Sequence, residues 1–352
     1  MANDNNMSLR GVPIPSSRDS GRRSNPIKIF VSNFHMFFKK SPKPVESTRV
    51  VIIGAGLVGA TSAYAIMLRG IASEIVLIDI DKNKCAGEVL DLQHGISFLS
   101  PAKVWAGSYA DCRDADVIVI TAGLKQKEGQ ARLELAVANS KIVAEITHKI
   151  IKYTSEAIIL MVTNPLDVLT YVAYRASGLP ANQVFGTGTA LDSSRFRYLL
   201  AQSLGVAAES VGAYLIGEHG DSSVPVYSHA NIMGGKLAVF PKYNKQAVQA
   251  AYRQTKNAAY DLICKKGATY YAIALAVARI VRAILYNENH IFPVSVYLSG
   301  QYGISDVYLS LPAVVNRRGV KEILNIELSA LEKKQLHQSA KVIRAAIDSI
   351  KI

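Results

Sequence analysis

The chain has 352 residues, 49% of them hydrophobic and 19% charged, which is enough apolar material for a large core and, by length, about two domains. Its net charge of +13 is uneven: residues 1–46 hold eight Lys/Arg against three Asp/Glu, leaving a mildly basic body suited to small anionic ligands. No basic stretch interleaved with aromatics marks a nucleic-acid face, and no metal-ligand spacing stands out.

The longest apolar run, Ala272 to Leu285, is broken by Arg279 and Arg282 and is too short to span a bilayer, so stable membrane insertion is not expected. Three cysteines (Cys85, Cys112, Cys264) without CxxC spacing point to a reducing compartment. No secretory signal pattern opens the chain, and a cytoplasmic protein is expected.

Residues 1–46 are rich in Ser, Asn, Pro and Arg, then aromatic and basic, with no acid between 20 and 45. Three readings fit: a flexible extension, an amphipathic targeting segment, or an arm packing on a neighbouring subunit. The general behaviour of termini favours the first.

From Thr48 the pattern is that of a doubly wound parallel sheet. Strands are expected at 50–53, 74–80, 117–120 and 158–162, with helices from the glycine turn to about Arg69 and from about Arg132 to Tyr153. Continuous apolar strands separated by helices indicate a sheet covered on both faces. Beyond Gly186 the rhythm changes to helices near 190–203, 244–265, 268–286 and 329–349, interleaved with β segments. The expected organisation is therefore α/β: a Rossmann domain over 47–186 followed by an α+β catalytic domain over 187–352.

Gly54-Ala55-Gly56-Leu57-Val58-Gly59 directly follows the first strand and opens a helix. Glycines there permit the tight turn, the approach of a pyrophosphate to the backbone, and close packing of helix on strand. Asp79 follows 20 residues after Gly59, at the end of the next strand, where a carboxylate accepts from ribose hydroxyls and repels a 2′-phosphate. NAD is the expected cofactor. Gly123, in the turn after a further strand, lies where parallel sheets bind ligands.

In the second half, Asp192-Ser193-Ser194-Arg195 sets a carboxylate and a guanidinium three residues apart on one helix face. Gly217-Glu218-His219-Gly220-Asp221 offers an imidazole between glycines. An aspartate can fix the tautomer of an imidazole and stabilise its charged form, and an arginine can grip a substrate carboxylate through two parallel bonds. These parts suit proton transfer on a small carboxylate substrate.

Taken with the blocks GAGLVG (54–59), DLQHG (91–95), TAGLKQKEGQAR (121–132), TNP (163–165), GTGTALDSSRFR (186–197), GEHGDSSVPVYSHANI (217–232) and KGATYY (266–271), the chain resembles the L-lactate branch of the lactate/malate dehydrogenase superfamily from about Thr48 to its end. The resemblance implies NAD-dependent hydride transfer between NADH and pyruvate, giving L-lactate, in a homotetramer. It implies His219 as proton donor and acceptor, Asp192 as its partner, Arg195 as carboxylate binder and Arg132 as the loop arginine that polarises the carbonyl. Asn164 corresponds to an asparagine touching substrate and cofactor, with a cis bond to Pro165. Thr269 corresponds to a residue lining the substrate pocket, and Lys84 and Tyr109 to further cofactor contacts. A reactive thiol found in animal relatives is replaced by Thr189. Arg197 matches an arginine used for sugar-bisphosphate activation in some bacterial relatives, but Tyr214 occupies the position expected for its histidine partner.

Substrate choice rests on the loop from Leu124 to Arg132. Malate-specific relatives carry arginine at a loop position where this chain has Gln126. Glutamine cannot neutralise a second carboxylate, so pyruvate is expected over oxaloacetate, whose extra charge would be buried unpaired.

Overall fold

The computed structural model describes residues 47–124 and 132–350. The extension 1–46 and the loop residue Gln126 lie outside the described residues.

Strand β1 (Arg49–Ile53) is followed by α1 (Leu57–Leu68), β2 (Glu74–Ile78), α2 (Lys82–Gly95), β3 (Lys103–Ala106) and β4 (Val117–Ile120). Then come α3 (Arg132–Ile150), β5 (Ile158–Met161), α4 (Leu166–Ser177) and β6 (Val184–Gly186). These six strands are all parallel and lie in the order β6-β5-β4-β1-β2-β3. The order reverses between β1 and β4, the switch point at which such sheets bind ligands.

The apolar strand runs follow from burial on both faces. Val50 and Ile52 join Ala63, Ile66 and Met67 of α1 on one side; Val51 and Ile53 join Val143, Ile146 and Ile150 of α3 on the other. Each strand thus has two apolar faces, so alternation disappears from its sequence.

Beyond β6 the chain forms α5 (Ala190–Leu204) and the short strands β7 (Val211–Gly212), β8 (Leu215–Ile216), β9 (Val224–Pro225), β10 (Asn231–Ile232) and β11 (Gly235–Lys236). Helices α6 (Lys245–Lys266) and α7 (Tyr271–Leu285) come next. The strands β12 (His290–Ser299), β13 (Ser305–Asn316) and β14 (Gly319–Ile323) precede the last helix, α8 (Ala330–Ile350). Strand β12 pairs antiparallel with β6 at Ser295 and Gly186, which extends the sheet to nine strands with β14 at its far edge.

Several boundaries differ from the sequence reading for local reasons. Strand β2 stops at Ile78, before the expected 80, because the Asp79 carboxylate accepts the N–H groups of Ala55 (2.6 Å) and Asp81 (3.0 Å) and turns the chain. Asp81 then caps α2 by accepting from Lys84 N at 3.0 Å. Helix α6 ends on Gly267 at φ +80°, and α7 begins only at Tyr271, with the Lys266 ammonium over the Tyr270 and Tyr271 rings. Among the described residues, no helix is long and apolar enough to cross a membrane.

Candidate active site

The glycine turn after β1 meets the end of β4 directly. Thr121 Oγ1 donates to Gly54 O at 2.8 Å, and a Cβ on Gly59 would lie 1.8 Å from that same oxygen. No side chain larger than hydrogen fits at 59, so the first turn of α1 closes onto the strand. Gly56 caps α1 without any side-chain bond, and a Cβ there would meet nothing within 4 Å. The first N–H groups of the helix have no acceptor among the described residues, the arrangement that accepts a phosphate. Beside this turn stand the Asp79 carboxylate and the fully exposed, apolar Ile80, a polar and an apolar partner for a nucleoside. The residues fit a dinucleotide.

Leu57 and Val58 occupy the first turn of α1, with Leu57 exposed. Gly123 abuts Thr163, whose hydroxyl donates to Ala122 O at 2.9 Å. Lys84 is exposed and touches the site only through its backbone bond to Asp81. Tyr109 is half-buried with the Lys149 ammonium 5.5 Å from its ring centre. Neither is bonded to Asp79.

The acid–base residues assemble where α5, β8 and α4 converge. Thr189 and Ser193 lock α5 to β8: Thr189 Oγ1 donates to Leu215 O at 2.5 Å, and Ser193 Oγ accepts from Leu215 N at 2.9 Å. The thiol position of animal relatives is thus a buried structural bond in this chain. Strand β8 delivers Gly217, whose φ of +86° is left-handed and whose missing Cβ would lie 2.8 Å from Ser339 Oγ on α8. Glycine is required there by conformation and by space. Gly220 has no such backbone requirement.

The turn places His219 Nδ1 2.6 Å from Asp192 Oδ2, while Asp192 Oδ1 accepts from Arg195 Nη1 at 3.0 Å. The three side chains are largely buried (13–23% exposed), so their charges interact through little water. Burial opposes a charge on His219, but the charge and hydrogen bond of Asp192, with a contribution from Asp167, outweigh it and raise the ring above the ordinary histidine value. Burial likewise opposes the Asp192 charge, but His219 and Arg195 overcome it and hold the carboxyl below its usual range. His219 Nε2 makes no bond to any described residue, and only one Arg195 nitrogen is engaged among them. Among the described residues nothing else engages the Nε2 side of the ring or the other guanidinium nitrogens.

Asn164 is exposed at a cis bond to Pro165, and its carbonyl accepts from Asn139 Nδ2 at 3.0 Å. Thr269 is half-buried just before α7 and has no bond to the His219 cluster. Arg132 is the first residue of α3; the loop leading to it, with Gln126, lies outside the described residues.

Sequence reasoning missed three residues. Asn139, buried on α3, accepts from Leu124 N at 2.7 Å and so anchors the start of the loop as well as Asn164. Asp167 accepts the His219 N–H at 2.7 Å, and Ser295 Oγ donates to its other oxygen at 2.5 Å. A readable signal existed for Asp167 alone: it is the one acid in the apolar segment LDVLTYVA. The partners Asn139 and Ser295 are distant in sequence and had none.

Comparison with known proteins agrees with this geometry. A family model described as the lactate/malate dehydrogenase NAD binding domain matches residues 48–186, and one described as the lactate/malate dehydrogenase alpha/beta C-terminal domain matches 189–351. The chain is 48% identical over 309 residues to an L-lactate dehydrogenase of Acetivibrio thermocellus, covering 86% of this chain and 98% of that one. It is 47% identical over 301 residues to L-lactate dehydrogenase 2 of Bacillus anthracis, covering 84% and 96%. Among solved structures, a lactate dehydrogenase from a Medee basin deep-sea metagenome superposes with a TM-score of 0.85 at 40% identity, over 87% of this chain and 99% of that one. The minor L-lactate dehydrogenase of Enterococcus mundtii in its ligands-bound form gives 0.84 at 40% identity, over 86% and 98%. A Rossmann sheet with an attached α/β half and a paired histidine defines an NAD-dependent oxidoreductase. The chain belongs to the lactate/malate dehydrogenase family.

Proposed function

We propose that this enzyme is an L-lactate dehydrogenase, interconverting pyruvate and L-lactate with His219 as the proton donor and acceptor. The observation that carries the reading is the 2.6 Å contact of His219 Nδ1 with Asp192, which leaves Nε2 unengaged by any described residue. When bound, the reduced dinucleotide supplies a hydride to the carbonyl carbon. His219 Nε2–H donates to the ketone oxygen, and its proton passes to that oxygen as the carbonyl electron pair moves there. Asp192 keeps the proton of Nδ1 and stabilises the imidazolium before transfer. Arg195 holds the substrate carboxylate with the nitrogens that Asp192 leaves open, fixing the keto group against the histidine. Arg132 offers a donor to the oxygen as negative charge builds on it. Asn164 and Thr269 line the substrate space; Gly54, Gly56, Leu57, Val58, Gly59, Asp79, Lys84, Tyr109, Gly123 and Asn164 hold the dinucleotide.

Gln126 selects pyruvate. Oxaloacetate would bring a second carboxylate that Gln126 cannot neutralise, at several kcal/mol, a cost that the flanking Lys125 and Lys127 would soften. The enzyme is further proposed to be a cytoplasmic homotetramer. Support comes from three free cysteines and from large apolar side chains left half exposed on the outer helices, Leu68 on α1, Leu90 on α2 and Leu275 on α7.

The test follows NADH oxidation with pyruvate, oxaloacetate and a branched 2-ketoacid in wild type, Gln126→Arg and His219→Ala. Wild type should prefer pyruvate over oxaloacetate by more than about a hundredfold in kcat/KM, and Gln126→Arg should narrow or invert that ratio. Faster turnover of oxaloacetate by wild type would sink the substrate reading, and undiminished activity in His219→Ala would sink the proton donor. Sedimentation of the full chain tests the tetramer.

A further inference from the structure

Three successive N–H groups in the turn that carries His219 are taken by three different elements. Gly217 N donates to Ser310 O of β13 at 2.8 Å, Glu218 N to Ser339 Oγ of α8 at 2.7 Å, and His219 N to Asp167 Oδ2 of α4 at 2.7 Å. Only the last of these acceptors can carry a charge. Asp167 is 1% exposed, and its second oxygen accepts from the fully buried Ser295 hydroxyl at 2.5 Å. A carboxylate with a donor on each oxygen is satisfied in its ionised form. Its place in the first turn of α4 favours that form, since the helix N-terminus is the positive end.

A buried carboxylate is a costly way to accept one backbone N–H, a task that a neutral amide performs without desolvating a charge. Asp167 makes no salt bridge to Lys or Arg among the described residues, and the cation it faces is the protonated His219 ring. We propose that Asp167 is a positioning residue for His219 that works alongside Asp192: its bond to the backbone N–H sets the ring, and its negative charge favours the imidazolium. This rests on the reading of His219 as the proton donor.

The charged groups that act most on the ring and on Asp167 come from two helices and the turn. Helix α5 contributes Asp192 and Arg195, α4 contributes Asp167, and the turn itself contributes Glu218. From strands β12 and β13 and helix α8, the groups bonded to Asp167 and to the turn are the neutral Ser295, Ser310 and Ser339. Arg195 opposes protonation of the ring, and the two aspartates favour it. Burial pushes Asp167 itself up to about 6, despite the bonds from Ser295 and His219 that favour its charge, so it is ionised at neutral pH and neutral in mild acid.

The deciding variant is Asp167→Asn. Its amide oxygen still accepts from His219 N–H, and its amide nitrogen can donate to Ser295 Oγ with that bond reversed, so the backbone contact to His219 is retained while the charge is lost. The readout is the titration midpoint of the His219 ring in the full-length enzyme, followed by NMR of 13C-labelled histidine and identified by the resonance missing from His219→Gln. The midpoint should fall in Asp167→Asn, and the high-pH limb of pyruvate reduction should move down with it. Ser295→Ala should move the midpoint in the same direction by less, and it decides the matter if Asp167→Asn does not fold. An unmoved midpoint in folded Asp167→Asn, or in Ser295→Ala in its stead, overturns the proposal. That result is distinct from active His219→Ala, which removes the proton donor and leaves the ring's environment untouched.

Discussion

Replacing Asp192 by Asn tests the centre of the site. The aspartate accepts from His219 Nδ1 at 2.6 Å and from Arg195 Nη1 at 3.0 Å, both inside a largely buried cluster. An asparagine can present its oxygen to only one of these donors, and its amide N–H groups then face the other. A hydrogen bond between charged groups contributes about 1.5–3 kcal/mol, so losing one of the two lowers kcat/KM for pyruvate by about 10- to 150-fold. The direction in pH follows from the same contacts. His219 stands above its ordinary value in the folded enzyme because of Asp192. With His219 as the proposed proton donor, pyruvate reduction needs the protonated ring, so the rate should fall as pH rises through that raised value. In Asp192→Asn the fall comes at lower pH. For stability, the raised histidine stabilises the fold fully below its unfolded value and loses that effect as pH rises through the folded one; the lowered Asp192 does so above its unfolded value and loses it as pH falls through the folded one. The pair therefore stabilises most in the window between the two. The assay is the pH profile of kcat/KM with saturating NADH, with circular dichroism as a check on folding. A folded Asp192→Asn enzyme within twofold of wild type, with an unshifted limb, would refute the reasoning.

Two further substitutions probe the supports. Gly217→Ala forces a left-handed backbone on alanine and drives its Cβ to 2.8 Å from Ser339 Oγ, so urea unfolding should show a loss of about 1–3 kcal/mol and kcat should fall with it; wild-type stability would contradict the strain argument. Asp79→Ser removes the carboxylate proposed to bind the ribose, which also receives Ala55 N at 2.6 Å. Fluorescence titration should show NADH binding weakened about tenfold or more, with discrimination against NADPH reduced; unchanged discrimination would mean that Asp79 does not read the ribose.

The parallel half was legible because its signals are local. Strands β4 and β5, and β1 after Arg49, are apolar since both their faces are buried, and the glycine turn is dictated by steric limits within a few residues. Helix α4 and strands β3 and β6 escaped notice. The first eight residues of LDVLTYVAYRAS are all buried, so most of that helix offers no exposed position to mark a period; β3, KVWA, is exposed at both ends and so is not a continuous apolar run, and β6 has only three residues. The pairing of β12 with β6 was equally hidden, because it joins Ser295 to Gly186 across more than a hundred residues.

The same division runs through the site. The sequence by itself determined the chemistry on offer: an imidazole, a carboxylate and guanidinium at helical spacing, and a phosphate-sized turn with an acid placed after it. Those features are set by spacings of a few residues, which local backbone geometry converts directly into shared faces and turns. What only the tertiary structure decided is how His219 is held. Asp192 comes from 27 residues away, Asp167 from 52, and Ser339 on the last helix from more than a hundred. Contacts at such separations depend on how helices and strands pack onto one sheet, and nothing in the short-range pattern records that packing.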